Sequence, residues 1–430
     1  MTHYVLKVLA TSAAFATAFA VLPAAAQSVT VASRLPGKVY LLPATLETTQ
    51  WGWFDNAQPP VLTIDSGDTV VMETMMHAHN QIVPGKTIEE LKKLRTDNPG
   101  RGPHTLTGPI FVNGAEPGDV LKIKINRIVP RAYGANFNIP GMFGQFPKEF
   151  QDGQVKYLYL DMERKIAEFL PGLEIPLRPF PGTIGVARAE PGRYSSVPPG
   201  EYAGNMDIRE LTEGATLYVP VWVKGGLLWS GDSHAAQGNG EVNLTALETA
   251  YKELNVTVEV LKNIKLDMPR IETSTHWVTM GFDKDLNLAW EGAKAQTVKY
   301  LGEQRKIGAE EAAKLMPKVS DCRVSQVVNI KKGIHCMSSK DLKIKSIPER
   351  PSAETKDYLV TAGKDTDANK AMDGASMAMI ELLQQKKGLT RLDAYGLVSM
   401  AMDCRVGDMS GAQKSIHCLL PKNLWVSAKK

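Results

Sequence analysis

Sliding the chain against itself at a gapless offset of 82 lays Asp321-Cys-Arg-Val324 on Asp403-Cys-Arg-Val406 and Ile334-His-Cys336 on Ile416-His-Cys418. Glu272-Thr273 falls on Glu354-Thr355 in the same frame, and Lys340 and Leu342 fall on Lys422 and Leu424. The end of the chain is therefore an internal duplication of one unit. In each copy an amphipathic helix is predicted. Leu286, Trp290, Ala293, Thr297 and Leu301 share one face in the first, and Ala368, Met372, Ala375, Met379 and Leu383 share it in the second. Gly388 is placed to end the second helix, and Thr390-x-x-Asp393 resembles a capping box that starts the next. Ser346-Ile-Pro-Glu-Arg-Pro-Ser352 reads as the linker.

All four cysteines lie in the duplicated unit, 14 residues apart in each copy. Disulfides Cys322–Cys336 and Cys404–Cys418, one of three possible connectivities, each close a loop of about 15 residues and contribute about 3 kcal/mol in the chain-entropy model. A metal site is the alternative, because a His precedes each second Cys; the lack of C-x-x-C weakens it. The pairing needs an oxidising compartment. Residues 1–26 supply a reason to expect one: Lys7, then the apolar run Val8–Leu22, then Pro23-Ala-Ala-Ala26 read as a secretory signal peptide cut after Ala26. The run is shorter than the ~20 apolar residues of a membrane span. The mature protein is thus expected to be periplasmic or secreted, off the membrane once the leader is removed, and permissive of disulfides. Fifty Lys and Arg against 46 Asp and Glu leave a net charge of only +4, which offers a nucleic-acid partner no electrostatic support.

From 27 to 262 the pattern is different. Val120, Lys122, Lys124 and Asn126 alternate with Leu121, Ile123 and Ile125, a strand with one face on a core. Turns recur at Asp65-Ser-Gly-Asp68, Glu116-Pro-Gly-Asp119 and Glu190-Pro-Gly192. Ile88–Arg95 is the one convincing helix in this part. The fold class read from this is α+β: a β-rich sandwich or barrel over 27–262, then two α+β copies over 263–345 and 346–430.

Candidate chemistry gathers in the β-rich part. Trp229-Ser-Gly-Asp-Ser-His-Ala-Ala-Gln-Gly-Asn-Gly-Glu-Val242 holds Asp232 and His234 two apart, so an extended backbone points both to one face. Gly231, Gly238 and Gly240 let the chain approach a small ligand, and Glu241 returns a carboxylate. Asp, His and Glu with an open position suit a metal that activates water, although Gly-rich polar loops are commonly only tight turns. Other clusters are Gly204-Asn-Met-Asp207, His104 with the strand after it, and Glu73 with His77, His79, Asn80 and Gln81. His276, His335 and His417 read as structural.

Taken in order, His104-x-Leu-x-Gly-Pro-Ile-x-Val-x-Gly-Ala-Glu-Pro-Gly-Asp119, Pro179-Phe-Pro-Gly-Thr-Ile-Gly-Val186, Gly204-Asn-Met-Asp207 and Gly231-Asp-Ser-His-Ala-Ala-Gln-Gly-Asn-Gly-Glu-Val242 resemble the acetamidase/formamidase family. The resemblance implies hydrolysis of a small amide to a carboxylate and ammonia, dependence on a divalent metal ion, and assembly into a homo-oligomer. The convergence of rare His and acidic residues on Gly-rich loops leads us to expect a divalent ion, zinc first by ligand type, held by His104, Asp207, Asp232 and His234 or a subset. Glu241, with His234 and Asp207, forms the catalytic set; Asn205, Gln237 and Glu73 are the substrate-binding candidates. Three departures stand out. Asn239 replaces the family's Asp, Met76–Gln81 replaces an acidic loop, and the leader and duplicated tail are additions. A Ser233 nucleophile and a non-catalytic periplasmic binding protein of the same fold are the alternatives.

Overall fold

The alternating segment that begins at Val120 becomes the long strand Val120–Pro130, with Leu121, Ile123 and Ile125 buried. In this computed structural model, which describes residues 37–341 and 351–426, it lies between Tyr251–Leu261 and Thr216–Pro220. The leader expected over 1–26, and the linker residues 346–350, fall outside the described residues. A second sheet is centred on Leu228–Ala236, flanked by Phe180–Val186 and Thr105–Val112. All nine residues of Leu228–Ala236 are buried. Val70, Ile123 and Val256 of the first sheet share one core with Leu106, Ile184 and Trp229 of the second. The two sheets therefore pack face to face, and with the helices of the tail they give an α+β architecture.

The duplicated tail repeats element for element. His276–Asp283, Leu286–Arg305, Ala309–Val319, Ser320–Gln326 and Lys332–Ser339 are followed by Tyr358–Asp365, Ala368–Lys387, Arg391–Ala401, Asp403–Val406 and Lys414–Pro421. The second helical face is buried as its spacing predicts; in the first, Ala289 and Tyr300 join the buried stripe and Trp290 is only partly covered. Gly388 closes its helix in the left-handed conformation, and the Thr390 hydroxyl accepts from the Asp393 amide. Each helix crosses its strand so closely that a Cβ on Gly281 would lie 2.2 Å from Ala293 N, and one on the equivalent Gly363 still nearer to Ala371 O. Cys322 pairs in register with Cys336, and Cys404 with Cys418; both pairs are disulfides.

The copies stand antiparallel, with Arg323 opposite Arg405, so one sheet runs from the N-terminal strands through both. Their helix starts cap one another. Asn287 Nδ2 donates to Asp367 and Asn369 Nδ2 to Asp285, both at 2.8 Å, while Asn287 and Asn369 accept from the amides of Ala368 and Leu286. The loop after Leu228–Ala236 is gripped by both copies: Gly238 N donates to Ser399 O and Gly240 N to Ser325 O. No helix among the described residues is long and apolar enough to cross a membrane.

Between the copies lies a buried ionic cluster. Asp403 meets Arg405 at 2.7 Å and Arg209 at 3.1 Å, and accepts from Asn239 Nδ2 at 2.6 Å. Burial alone pushes the Asp403 carboxyl up, but Arg323, Arg209 and Arg405 outweigh it and hold the group well below the usual carboxylate range. A depressed folded-state pKa stabilises above the unfolded value of ~3.9 and is lost as pH falls through that range. We expect the melting temperature to drop as pH is lowered below about 4, and Asp403→Asn to flatten that part of the profile. Superimposable wild-type and variant profiles would contradict this.

Candidate active site

Asp232 and His234 do reach the same side of their strand. The backbone is not simply extended there, since Asp232 sits at φ 49°, and Asp207 and Glu241 adopt φ 50° and 49°. Three acidic residues in the left-handed region each cost on the order of 1–3 kcal/mol, strain that clusters at sites where side chains must be aimed. Gly182 makes room for them from the neighbouring strand. A Cβ there would lie 2.6 Å from His234 Cε1, 2.7 Å from Asp207 Oδ1 and 2.8 Å from Asp232 Oδ2.

Four carboxylates and three imidazoles meet, all buried. His77 Nε2 lies 2.7 Å from Asp232 Oδ1 and 3.4 Å from Glu248 Oε2. His234 Nε2 is 3.4 Å from Asp232 Oδ1 and 3.2 Å from Glu248 Oε2, and its Nδ1 is 3.8 Å from Asp207. His104 Nε2 is 3.6 Å from Asp232 Oδ2, with Nδ1 2.9 Å from Ser196 Oγ. The Asn329 amide donates to Asp207 and reaches to 3.5 Å from Glu241. Every member but His234 lines a cavity of about 110 Å³, below the ~300–1,000 Å³ of pockets for drug-sized ligands.

This arrangement suits a cation. Three overlapping triplets, His77/His104/Asp232, Asp207/His234/Glu241 and Asp232/His234/Glu248, each hold their ligating atoms within 4.8 Å. Asp207 Oδ1 is buried without a hydrogen-bond partner, and Glu248 Oε2 and His234 Nε2, though 3.2 Å apart, are not aligned for a hydrogen bond. Buried carboxylates are costly unless paired or coordinated, and these outnumber the imidazoles. The unbalanced charge shifts the ionisation of these groups. Burial drives Asp207 and Glu241 well above the carboxylate range, with Asp232 and Glu248 adding to Asp207, and Asp207 to Glu241. Burial pushes His77 down, but Glu248 and Asp232 outweigh it and lift it to about 9. Burial wins at His104, which falls to about 4.

Of the residues expected from sequence, the structure brings together Asp207, Asp232, His234, Glu241 and His104, with Asn205 at the cavity wall. Gln237 stands behind them. Its Oε1 lies 2.8 Å from His234 Nδ1 and its amide donates to the carbonyls of Asp207 and Ser325, so it sets the imidazole rather than facing the cavity. Glu73 is not brought in: it ends half-exposed beside Arg131 at 3.4 Å. Asn205 has both amide atoms engaged, Oδ1 with Thr183 and Nδ2 with Val197 O. Ser233 points to the other strand face, bonded to Thr74 at 2.7 Å.

Three participants were not assigned to the site from sequence. His77, grouped with Glu73, joins through a turn in which Ala78, His79 and Asn80 have φ above 50°. Glu248 arrives on the short strand Leu247–Thr249 with no motif around it. Asn329 comes from the first tail copy, where Val328-Asn329-Ile330 differs from Ser410-Gly411-Ala412 at the duplicated positions; that divergence is the signal that could have found it.

Comparison with known proteins bears on this geometry. The family model described as the Acetamidase/Formamidase family matches residues 46–194 and 188–423. An acetamidase of Mycolicibacterium smegmatis is 28% identical over 218 residues, 37% of this chain and 54% of its own. The chain spans 54–62% of the length of the curated relatives it matches. The crystal structure of an acetamidase from Bacillus halodurans is 29% identical with a TM-score of 0.63, over 70% of this chain and 97% of that one. A gamma lactamase from Delftia acidovorans, at 19% identity and TM-score 0.62, shares the fold over 90% of this chain and 93% of its own.

Proposed function

The chain belongs to the acetamidase/formamidase family, and on that premise we propose that it hydrolyses linear carboxamides to the carboxylate and ammonia. The observation that carries the reading is the meeting of four buried carboxylates and three buried imidazoles, six of the seven lining a small cavity. Asp232, His234 and Glu248, with His77 and His104 beside them, would hold a divalent cation, zinc first by donor type. When bound, the cation supplies Lewis-acid activation of water and of the amide carbonyl.

The remaining work falls to the protein's own side chains. Glu241, in its ionised form, takes the proton of the attacking water and passes it to the departing nitrogen. Asn329, held between Asp207 and Glu241, fixes their separation. Gln237 keeps His234 in one orientation through Nδ1, and Thr183, 3.1 Å from Asp232 Oδ2 and 2.7 Å from Asn205 Oδ1, does the same for Asp232. Asn239 is turned to Asp403, away from the cavity, which leaves the binding-protein alternative without one of its two motivating departures. The two disulfides support a periplasmic or secreted setting.

Ammonia release from formamide, acetamide and propionamide tests the reading. We expect turnover that a chelator removes and a divalent ion restores, and a loss of about 10²–10⁴-fold in Glu241→Gln with the fold intact by circular dichroism. Turnover indifferent to chelation, in protein that carries no metal, would sink the metal assignment.

A further inference from the structure

The polar cage supplies only part of the cavity lining. The apolar lining includes Val328, Ile330 and the side chains of Leu91, Phe137, Phe143 and Leu244, which pack in one cluster. Outside the cage the one charged lining residue is Arg95, whose guanidinium lies over the Phe143 ring at 5.3 Å and donates to the Arg101 carbonyl. On the acyl side of the carbonyl formamide carries only a hydrogen, and acetamide a single methyl. With the carbonyl at the cage, neither covers this wall, and apolar surface stabilises only a ligand that removes it from water.

The duplication gives a second, independent observation. Val328-Asn329-Ile330 of the first copy borders the cavity, while the positions 82 residues on, Ser410-Gly411-Ala412, are small or polar and are absent from its lining. Apolar side chains thus occur in the copy that meets the site. Ile330 is held there at φ 65°, a conformation β-branched residues avoid, with 59% of its surface exposed.

Resting on the amidase reading, we propose that the site is built for carboxamides bearing an apolar acyl chain or ring larger than acetyl, seated between helix Ile88–Thr96 and the Val328–Ile330 loop. The experiment measures kcat/KM for ammonia release by the full-length, metal-loaded protein across formamide, acetamide, butyramide, hexanamide, benzamide and a chain amide ending in carboxylate. We expect kcat/KM to rise by up to about fourfold for each added methylene, the factor equivalent to 0.8 kcal/mol per buried CH₂. Ile330→Ser, at an exposed position where folding is not at stake, should shrink the ratio of hexanamide to acetamide kcat/KM, and Val328→Ser should shrink it further. A flat or falling series, or preference for the carboxylate-tailed amide over hexanamide, overturns the inference while the amidase reading stands. No ammonia from any amide overturns both.

Discussion

Asp232→Asn is expected to lower kcat/KM for a simple amide by about 10³-fold or more, the scale on which an acid–base group or its support is lost. No other side chain touches so much of the cage: His77, His104, His234 and the Thr183 hydroxyl all lie within 3.6 Å of its carboxylate. Burial opposes its charge, yet His104 and His234 hold it well below the ordinary carboxylate range, so it is the anion around which the imidazoles are arranged. The amide is isosteric and removes the negative charge that faces His77, His104 and His234. Because the folded state holds Asp232 below its ordinary range, its charge stabilises the fold above the unfolded value of ~3.9, and without metal the variant should melt lower than wild type as well as lose activity. Steady-state rates, metal content and a thermal melt on the same preparation check it; activity within tenfold of wild type would show that the cage is not organised around Asp232.

Gly182→Ala is the second large effect. Its Cβ would stand under 3 Å from His234, Asp207 and Asp232 together, and two of those contacts are carboxylate oxygens already fixed by their backbone. The side chains must move apart, and a displacement near 1 Å at a reacting centre can cost about 10² in rate. Overpacking should also destabilise by about 1–3 kcal/mol. Gly308→Ala, where a Cβ meets nothing within 4 Å, is the control and should leave the rate unchanged. Equal activity of the two variants would mean that the cage tolerates displacement.

What was legible in the chain follows the range over which each feature acts. The two-residue spacing of Asp232 and His234, the return of Glu241, and the cysteine spacing are local, and each places its atoms within a strand or across one turn. The duplication was legible because it repeats side chains at a fixed interval. Glu248 and Asn329 were not. The first depends on Leu247–Thr249 pairing beside Leu228–Ala236, the second on the first tail copy folding back 122 residues to Asp207. Glu73 shows the converse: it follows a strand that alternates well, and it lies beside Arg131 because the alternation fixes a face and not a destination. Asn239 looked like a lost charge at the site; as the donor to Asp403 it is the residue that avoids setting two carboxylates 2.6 Å apart.

The reciprocal capping of the two tail helices has one more consequence. Asn287 and Asn369 exchange bonds across an approximate dyad, the pattern by which two separate subunits recognise each other through a self-complementary patch. Here both halves are on one chain, so docking is governed by an effective concentration set by the tether rather than by the amount of protein in solution. Dilution cannot pull the halves apart, and a dilute solution, where a bimolecular interface would dissociate, leaves the Ser325 and Ser399 carbonyls in place behind the loop that carries Glu241.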